Sequence, residues 1–223
     1  MLKIIKKFDL VLITNGKICE SELTTIITQA LEGGVRTVQL REKDLSTKKL
    51  FELAKRLREI TKDLDANLII NDRVDIALAV NADGVHLGWQ SLDIDVIRKI
   101  IGHEKLIGFS AHNLQEARKA DIKGADYITL SPIFNTSYKD FLIQPLGIEE
   151  IGKIKKQISI PVIALGGINE DNIREVLENG ADGIAVVSNI ILSEDPGQSA
   201  SRLCDEIKRF KQESENRILV RET

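Results

Sequence analysis

A strand–helix–strand pattern over residues 160–190 constrains the fold more than any other part of the chain. It reads IPVIALGGI, then NEDNIREVLENGADG, then IAVVSNI. The outer two parts are continuous apolar runs, which are typical of parallel strands buried on both faces. The middle part has apolar residues at helical spacing, and we expect Asn169 to be its N-cap and Gly180 to be its end. Parallel strands joined by a helix are therefore the predicted unit.

The same alternation repeats along the chain, so that each of eight apolar runs is followed by a segment with helical periodicity. This pattern predicts an α/β fold, a single-domain (β/α)₈ barrel over residues 1–210, with a charged C-terminal tail at 211–223 that frays. A doubly wound open sheet is the alternative, but the sequence lacks the glycine fingerprint after its first strand. The predicted strands are 10–14, 37–43, 67–71, 84–88, 105–110, 127–133, 162–165 and 183–187.

Composition argues against several classes of protein. The formal net charge is −3, which does not favour general binding to nucleic acid or to a membrane surface. No apolar run is long enough for a signal peptide or a transmembrane span. Cys19 and Cys204 lie far apart and form neither a CxxC pair nor a disulfide framework. We therefore expect a cytoplasmic protein.

Charged residues gather where the second predicted strand ends. Strand alternation places Gln39, Arg41 and Lys43 on one face. In a barrel of this kind the active site lies at the carboxyl ends of the strands. Two cations at that end need an anionic partner. We expect this partner to be a bound ligand, and an internal salt bridge, for example to Asp72, is the alternative.

The third and fifth predicted strands add further candidates. Asn71 and Asp72 end the third strand, where a carboxylate beside cations can hold Mg²⁺ that also binds phosphates. Capping of the next helix is the alternative role for Asp72. Ser110 and His112 share a face at the end of the fifth strand and suit a phosphate contact and a proton transfer, although His112 is alternatively a plain loop residue. His86 lies deeper, and we expect a hydrogen-bonded core histidine.

Glycines and hydroxyls mark the last three strand ends. Gly166–Gly167 and the N–H groups after Val187 are expected to meet a phosphate, because the last two loops of such barrels are a usual phosphate site. Tight turns alone are the alternative reason for the glycines. The loop after the sixth strand is a candidate lid, or else a solvated surface loop, and it contains Thr136, Ser137, Tyr138 and Lys139.

Six motifs together resemble a known family. They read VQLREKD, LIINDRVDIALAVNADGVHLG, GFSAHNLQEA, GADYITLSPIFNT, PVIALGGI and GADGIAVVSNI. They resemble thiamine phosphate synthase (thiamine-phosphate pyrophosphorylase) and its relative, the thiazole tautomerase, from about residue 10 to residue 203. The resemblance implies a (β/α)₈ barrel, commonly a homo-oligomer, with Mg²⁺ as the cofactor. The synthase joins an aminopyrimidine-methyl pyrophosphate to a thiazole phosphate carboxylate, giving thiamine phosphate and releasing pyrophosphate.

The resemblance also implies roles by position. Asp72 would bind Mg²⁺. The residues expected to bind the pyrimidine pyrophosphate are Gln39, Leu40, Arg41, Glu42, Lys43, Asn71, Ser110 and Lys139. Those expected to hold the thiazole phosphate are Thr136, Ser137, Tyr138, Gly167, Val187 and Ser188. The catalytic residues would be Arg41, Lys43, Ser110, His112 and Lys139.

One departure from the synthase pattern keeps other functions open. The family usually places a second Mg²⁺-binding aspartate after the fourth strand, and aligned without a gap this chain has Ser91 there. Asp93 would substitute only if the loop shifts. The change strengthens the alternative of a thiazole tautomerase in which His112 moves a proton. The synthase stays the predicted function, because the residues that fit it are Arg41, Lys43, Asn71 and Asp72. The third possibility is a noncatalytic barrel that binds thiazole phosphate or thiamine phosphate.

Overall fold

The computed structural model describes residues 8–15, 20–136 and 144–221. Eight parallel strands pair in chain order and close into a barrel, since β1 pairs with both β2 and β8. The predicted (β/α)₈ barrel is confirmed. The strands are β1 (Leu10–Ile13), β2 (Thr37–Leu40), β3 (Asn67–Asn71), β4 (Gly84–Leu87), β5 (Leu106–Ala111), β6 (Tyr127–Leu130), β7 (Val162–Leu165) and β8 (Gly183–Val186).

Helices follow the strands and cover the outside of the barrel. Within the described residues, no helix has both the length and the apolarity that crossing a membrane requires. The helices are α1 (Glu20–Glu32), α2 (Thr47–Asp63), α3 (Val74–Ala79), α4 (Ile94–Ile101), α5 (Leu114–Ile122), α6 (Glu149–Lys155), α7 (Ile173–Glu178), α8 (Ser188–Ile191) and α9 (Pro196–Arg221).

The start of α7 differs from the prediction. Its N-cap position is occupied by Asn172, not Asn169. The Asn169 side chain accepts a hydrogen bond from the N–H of Asp171 at 2.9 Å, and the Asn172 side chain accepts one from the N–H of Asn169 at 2.9 Å. Because asparagine side chains can satisfy nearby backbone groups outside a helix, these bonds hold a turn and delay the helix.

The last helix also differs, because α9 continues to Arg221 instead of ending near residue 210. Two ion pairs attach the segment that was expected to fray. Lys211 Nζ lies 2.6 Å from Asp9 Oδ1, and Glu213 pairs with Arg174. The sequence pattern missed this extension because its apolar face stops while the charged contacts continue.

The apolar core has two layers, as expected for strands buried on both faces. Between the strands and the helices lies the larger layer, which includes Val38 and Leu40. The barrel interior is filled by a smaller cluster, in which Phe8 and Tyr127 pack with ring centroids 4.5 Å apart. Gln39 pairs with Ile69 of this inner cluster, so the inward face predicted for Gln39 is confirmed. β2 ends at Leu40 and not at Lys43, so strand alternation does not extend to Arg41 and Lys43.

Three aspartates fasten the amino-terminal end of the barrel, and we call them the basal clamps. Each stands just before an even-numbered strand, accepts a backbone N–H from the preceding strand and pairs with a cation of an earlier helix. The N–H donors are Leu68 to Asp83 at 2.8 Å, Ile107 to Asp126 at 2.7 Å and Val162 to Asp182 at 2.7 Å. The cations are Arg58 for Asp83 at 2.5 Å, Arg98 for Asp126 at 2.6 Å and Lys155 for Asp182 at 2.5 Å.

Candidate active site at the carboxyl ends of the strands

The residues that follow β2 line the barrel mouth. Gln39 is buried, and its Nε2 donates to Asn71 Oδ1 at 3.1 Å, while its Oε1 has no hydrogen-bond partner among the described residues. Arg41 is half-buried and Lys43 is exposed. Within the described part of the chain, neither cation forms an ion pair with Asp72, so the alternative of an internal salt bridge is wrong. The two cations remain free to meet an anion.

Two neighbours of these residues are buried. Leu40 is expected by position to bind the pyrimidine substrate, but its side chain is buried in the outer layer of the core. Only its backbone can reach the mouth. Glu42 is also buried. The adjacent backbone is fixed from β1, because Thr14 Oγ1 accepts the N–H of Arg41 at 2.9 Å.

Asp72 and Ser91 are joined at the ends of β3 and β4. Ser91 Oγ donates to Asp72 Oδ1 at 2.5 Å and accepts from the N–H of Gly88 at 2.7 Å. Asp72 is exposed and has a φ of +65°, a left-handed conformation that aspartate tolerates better than most residues. The turn after β3 therefore directs its carboxylate toward the β4 loop.

A buried polar network lies inside the barrel below these groups. The ring of His86 on β4 places Nε2 3.0 Å from Ser110 Oγ and 3.3 Å from Thr129 Oγ1. Its Nδ1 lies 3.2 Å from the Tyr127 hydroxyl. Burial, followed by the charge of Arg41, lowers the pKa of His86 to about 3, so the ring is neutral at pH 7. The prediction of a hydrogen-bonded core histidine is confirmed.

His112 follows β5 directly and is held by Glu116. Its Nδ1 lies 3.1 Å from Glu116 Oε2, which also accepts the backbone N–H of His112 at 2.8 Å. Asn113 caps α5, since its Oδ1 accepts the N–H of Glu116 at 2.8 Å. A carboxylate on one ring nitrogen fixes the orientation of an imidazole and leaves the other nitrogen for proton transfer.

The glycine pair after β7 is required by packing. Gly166 and Gly167 have φ values of +105° and +69°. A Cβ on Gly166 would lie 2.9 Å from Pro132 Cα, and one on Gly167 would lie 2.7 Å from Asn135 O. Phe134 N–H also donates to Gly166 O at 3.0 Å. The loops after β6 and β7 thus approach each other closely, and this contact explains both glycines without any ligand.

β8 ends in a short helix that the sequence pattern did not predict. Val187 is half-buried before α8, and Ser188 is its exposed first residue. The first N–H groups of a helix have no acceptor within that helix and favour an anion. Ser188 and Gly167 follow neighbouring strands, so they lie on the same side of the mouth.

Part of the predicted site lies outside the described residues, namely Ser137, Tyr138 and Lys139. Their roles stay predictions. Thr136, the last described residue before them, is half-buried.

Comparison with known proteins agrees with this geometry. The profile of the family described as "Thiamine monophosphate synthase" matches residues 10–190. A protein named thiamine-phosphate synthase from Clostridium acetobutylicum is 43% identical over 203 residues, 91% of this chain and 96% of the relative. A putative thiamine-phosphate synthase from Geobacter sulfurreducens is 48% identical over 182 residues, 82% of this chain and 85% of the relative.

The chain belongs to the thiamine monophosphate synthase family. A solved member, the thiamine phosphate pyrophosphorylase from Pyrococcus furiosus, has 39% sequence identity and a TM-score of 0.83. The alignment covers 92% of this chain and 97% of that one. The resemblance that the motifs predict is therefore confirmed.

The positions to which the resemblance assigns Mg²⁺ are Asp72 and Ser91, and this role stays a prediction. Asp93 does not replace Ser91, because its carboxylate pairs with Lys123 Nζ at 2.7 Å and not with this site. Among the described residues, no three His, Cys, Asp or Glu side chains form a group that could hold a metal ion. One carboxylate and one hydroxyl still fit Mg²⁺, because this ion often binds through one or two carboxylates together with substrate phosphates.

Sequence reasoning missed two polar residues inside the barrel. Tyr127 and Thr129 project into the interior from β6 and meet the ring of His86. Strand alternation gives both the same face, and that signal could have found them. Their partner could not be found in this way, because it depends on the register between strands.

Proposed function

We propose that this chain catalyses the synthesis of thiamine phosphate, a step of thiamine biosynthesis. Its substrates would be the aminopyrimidine-methyl pyrophosphate and the thiazole phosphate carboxylate. The observation that carries the proposal is the identity of 43% with a thiamine-phosphate synthase over 91% of the chain. Arg41 and Lys43 at the mouth agree with it, because they have no carboxylate partner among the described residues and both substrates are anionic.

The pyrimidine pyrophosphate would bind between the ends of β2, β3 and β5. Arg41 and Lys43 follow the end of β2 and would supply positive charge beside Gln39. The Gln39 Oε1 needs a donor, and the exocyclic amine of an aminopyrimidine is such a group. Asn71 holds the Gln39 amide in place through its 3.1 Å bond. Ser110 would contact the pyrophosphate from β5.

Asp72 would hold Mg²⁺ together with the Ser91 hydroxyl, and the ion when bound neutralises charge on the pyrophosphate. A single carboxylate has little affinity for a hydrated ion by itself. The cation is therefore proposed to bind tightly only when the pyrophosphate completes its oxygen ligands. Metal and substrate binding should be cooperative.

The thiazole phosphate would bind across the ends of β7 and β8. Gly167, Val187 and Ser188 offer backbone groups there, and α8 begins at the same point. Thr136 and the residues Ser137 and Tyr138 would close the site from the β6 loop. In this proposal the thiazole ring would lie opposite the pyrimidine in the mouth.

The proposed reaction is dissociative. The methylene C–O bond breaks, the pyrophosphate leaves with the electron pair, and Arg41, Lys43 and Lys139 stabilise its charge. The aminopyrimidine ring stabilises the methylene cation. The thiazole nitrogen then donates its lone pair to form the C–N bond. The carboxylate leaves as CO₂, its bonding electron pair stays on the thiazolium carbon, and that carbon takes a proton from water. No protein group is required as a general base in the bond-forming step.

A thiazole tautomerase is the second candidate. His112 beside Glu116, with 3.1 Å between Nδ1 and Oε2, is the observation that favours it. A tautomerase moves a proton and would work through this imidazole without a metal. A noncatalytic barrel that binds thiazole phosphate or thiamine phosphate is the remaining alternative.

One experiment separates these functions. The protein is incubated with both synthase substrates and Mg²⁺, or with chelator, and thiamine phosphate and thiazole isomerisation are both followed for wild type, Asp72→Asn and His112→Asn. A synthase forms thiamine phosphate, is inhibited by chelator and loses most activity with Asp72→Asn. Chelator-resistant isomerisation that falls with His112→Asn would instead establish the tautomerase. Tight binding without turnover would establish the noncatalytic barrel.

A homo-oligomer is also proposed. Large apolar side chains remain exposed around α3 and α4, which is unusual for a monomer. Light scattering after size exclusion tests this, and a monomer at micromolar concentration would contradict it. The exposed side chains are Leu78, Trp89, Leu92, Val96 and Ile100.

A further inference from the structure

We propose that His86 is a positioning residue that makes Ser110 a hydrogen-bond donor to the substrate. In this proposal the neutral ring carries its proton on Nε2, donates it to Ser110 Oγ and leaves the Ser110 hydroxyl hydrogen for an oxygen of the pyrophosphate. The link to the substrate rests on the proposed function. The assignment of the tautomer does not depend on the proposed function.

The first argument is the position of the ring across three strands. His86 on β4 pairs with Gly108 on β5, which pairs with Tyr127 on β6. A Cβ on Gly108 would lie 2.5 Å from His86 Nδ1 and 2.2 Å from Tyr127 Cζ. The glycine therefore leaves the space through which the two side chains meet. Any larger residue at 108 would separate them.

The second argument concerns the Tyr127 hydroxyl. It is buried, and burial raises its pKa, so it keeps its proton. Among the described residues its hydrogen-bond partner is His86 Nδ1 at 3.2 Å. If Nδ1 carried the ring proton, the Tyr127 hydrogen would be buried without an acceptor. Since a buried unsatisfied donor costs about 1–3 kcal/mol, Tyr127 favours an unprotonated Nδ1 and hence a proton on Nε2.

The third argument concerns the acceptors near Nε2. Ser110 Oγ at 3.0 Å is closer than Thr129 Oγ1 at 3.3 Å, so Ser110 is the better acceptor. Ser110 is half-buried near the end of β5, and its hydroxyl can still turn toward the mouth. Phosphate oxygens only accept hydrogen bonds. A Ser110 that donated to the ring would have no hydrogen for them, so the tautomer decides whether Ser110 can bind the pyrophosphate.

The tautomer is measured first, by ¹⁵N NMR of histidine-labelled wild type with the His86 signal assigned through its loss in His86→Gln. The chain has three histidines, so the spectrum is simple. We expect a neutral ring protonated on Nε2. A charged ring, or a proton on Nδ1, would overturn the proposal. This measurement needs no substrate and stands even if the protein makes no thiamine phosphate.

The link to Ser110 is measured by titration with inorganic pyrophosphate and Mg²⁺. Tyr127→Phe removes the donor to Nδ1 and should weaken binding about three- to tenfold. In a Ser110→Ala background the same change should have no further effect, because the affected hydrogen bond is already absent. Phe8→Leu is the matched control, since Phe8 packs on the Tyr127 ring and its side chain has no hydrogen-bonding group.

Two results would reject the link. One is an equal loss of affinity from Tyr127→Phe with and without Ser110, which indicates a packing effect. The other is unchanged affinity in Ser110→Ala. If Tyr127→Phe does not fold, His86→Gln replaces it in the same double-mutant comparison. If NMR finds the ring proton on Nε2 but the protein forms no thiamine phosphate, the proposed function is rejected and the tautomer assignment stands.

Discussion

Ser91 donates a hydrogen bond to Asp72, with 2.5 Å between Oγ and Oδ1, where the family resemblance implies two carboxylates. We predict that Ser91→Asp lowers thermal stability without metal, because two carboxylates would then face each other. Added Mg²⁺ should restore that stability. Affinity for Mn²⁺ without pyrophosphate should rise about tenfold, or 1.4 kcal/mol.

Calorimetry and paramagnetic resonance with Mn²⁺ measure this affinity, and thermal unfolding with and without Mg²⁺ measures the stability. Ser91→Asn is the control, since it changes the hydroxyl without adding charge. Equal Mn²⁺ affinity in Ser91→Asp and Ser91→Asn would show that Asp72 is not a metal ligand in this chain.

A second prediction concerns the cations at the mouth. Arg41→Ala should weaken binding of the pyrimidine pyrophosphate by about tenfold to a hundredfold, since hydrogen bonds to charged groups contribute about 1.5–3 kcal/mol. Lys43→Ala should have a smaller effect because Lys43 is exposed while Arg41 is half-buried. Calorimetric titration measures both. Lys62→Ala, at the end of α2 and far from the mouth, is the control. Wild-type affinity in both mouth variants would remove them from the site.

A third prediction concerns the basal clamps. Asp126→Asn should lower the free energy of unfolding by about 2–4 kcal/mol, because the Arg98 and Asp126 side chains are only 13% and 16% exposed and Arg98 would lose its charged partner. Asp205→Asn removes a carboxylate from an exposed pair and should cost less than about 1 kcal/mol. Urea unfolding measures both variants. Similar losses in the two would show that the clamp contributes no more than a surface pair.

A fourth prediction concerns acid stability. The unfolded His86 titrates near pH 6.5, whereas the pKa in the folded state is about 3. Between these values the unfolded state binds more protons, so stability is fully present above about pH 6.5 and is lost as the pH falls toward 3. The full loss from this group is about 4–5 kcal/mol.

His86→Gln lacks this titration, so its free energy of unfolding should fall less between pH 7 and pH 4 than that of wild type. Urea unfolding at the two pH values tests this within each variant. The carboxylates are the same in both proteins and cancel in the comparison. Equal pH slopes would mean that the folded state keeps His86 protonated at pH 4.

The fold could be predicted from sequence because its signal is repeated. Eight apolar runs, each followed by helical periodicity, determine the order of strands, and alternation correctly assigned Gln39 to the interior and Leu40 to the outer layer. Local hydrogen bonds were harder to predict from the sequence than the order of the strands. Asn172 and not Asn169 precedes α7, because two asparagines with similar capping propensity compete within four residues.

The site could be predicted only in part. The alternation of side chains along a strand predicted which groups lie at the mouth, because it depends only on the order of the residues. It could not tell that Ser91 meets Asp72 while Asp93 pairs with Lys123, because that depends on the path of one loop. The packing of Gly167 against Asn135 could not be predicted from the sequence either, because it joins two separate loops.

The basal clamps also show where the barrel can be divided. Each clamp is contained in one continuous piece of chain, running from an even-numbered helix to the next even-numbered strand. A cut in the loop after β4 leaves the Arg58–Asp83 pair on one fragment and both later pairs on the other. A cut at Gly102 instead separates Arg98 from Asp126. We therefore expect complementing fragments to reassemble when the chain is cut in the loop after β4 and to fail when it is cut at Gly102.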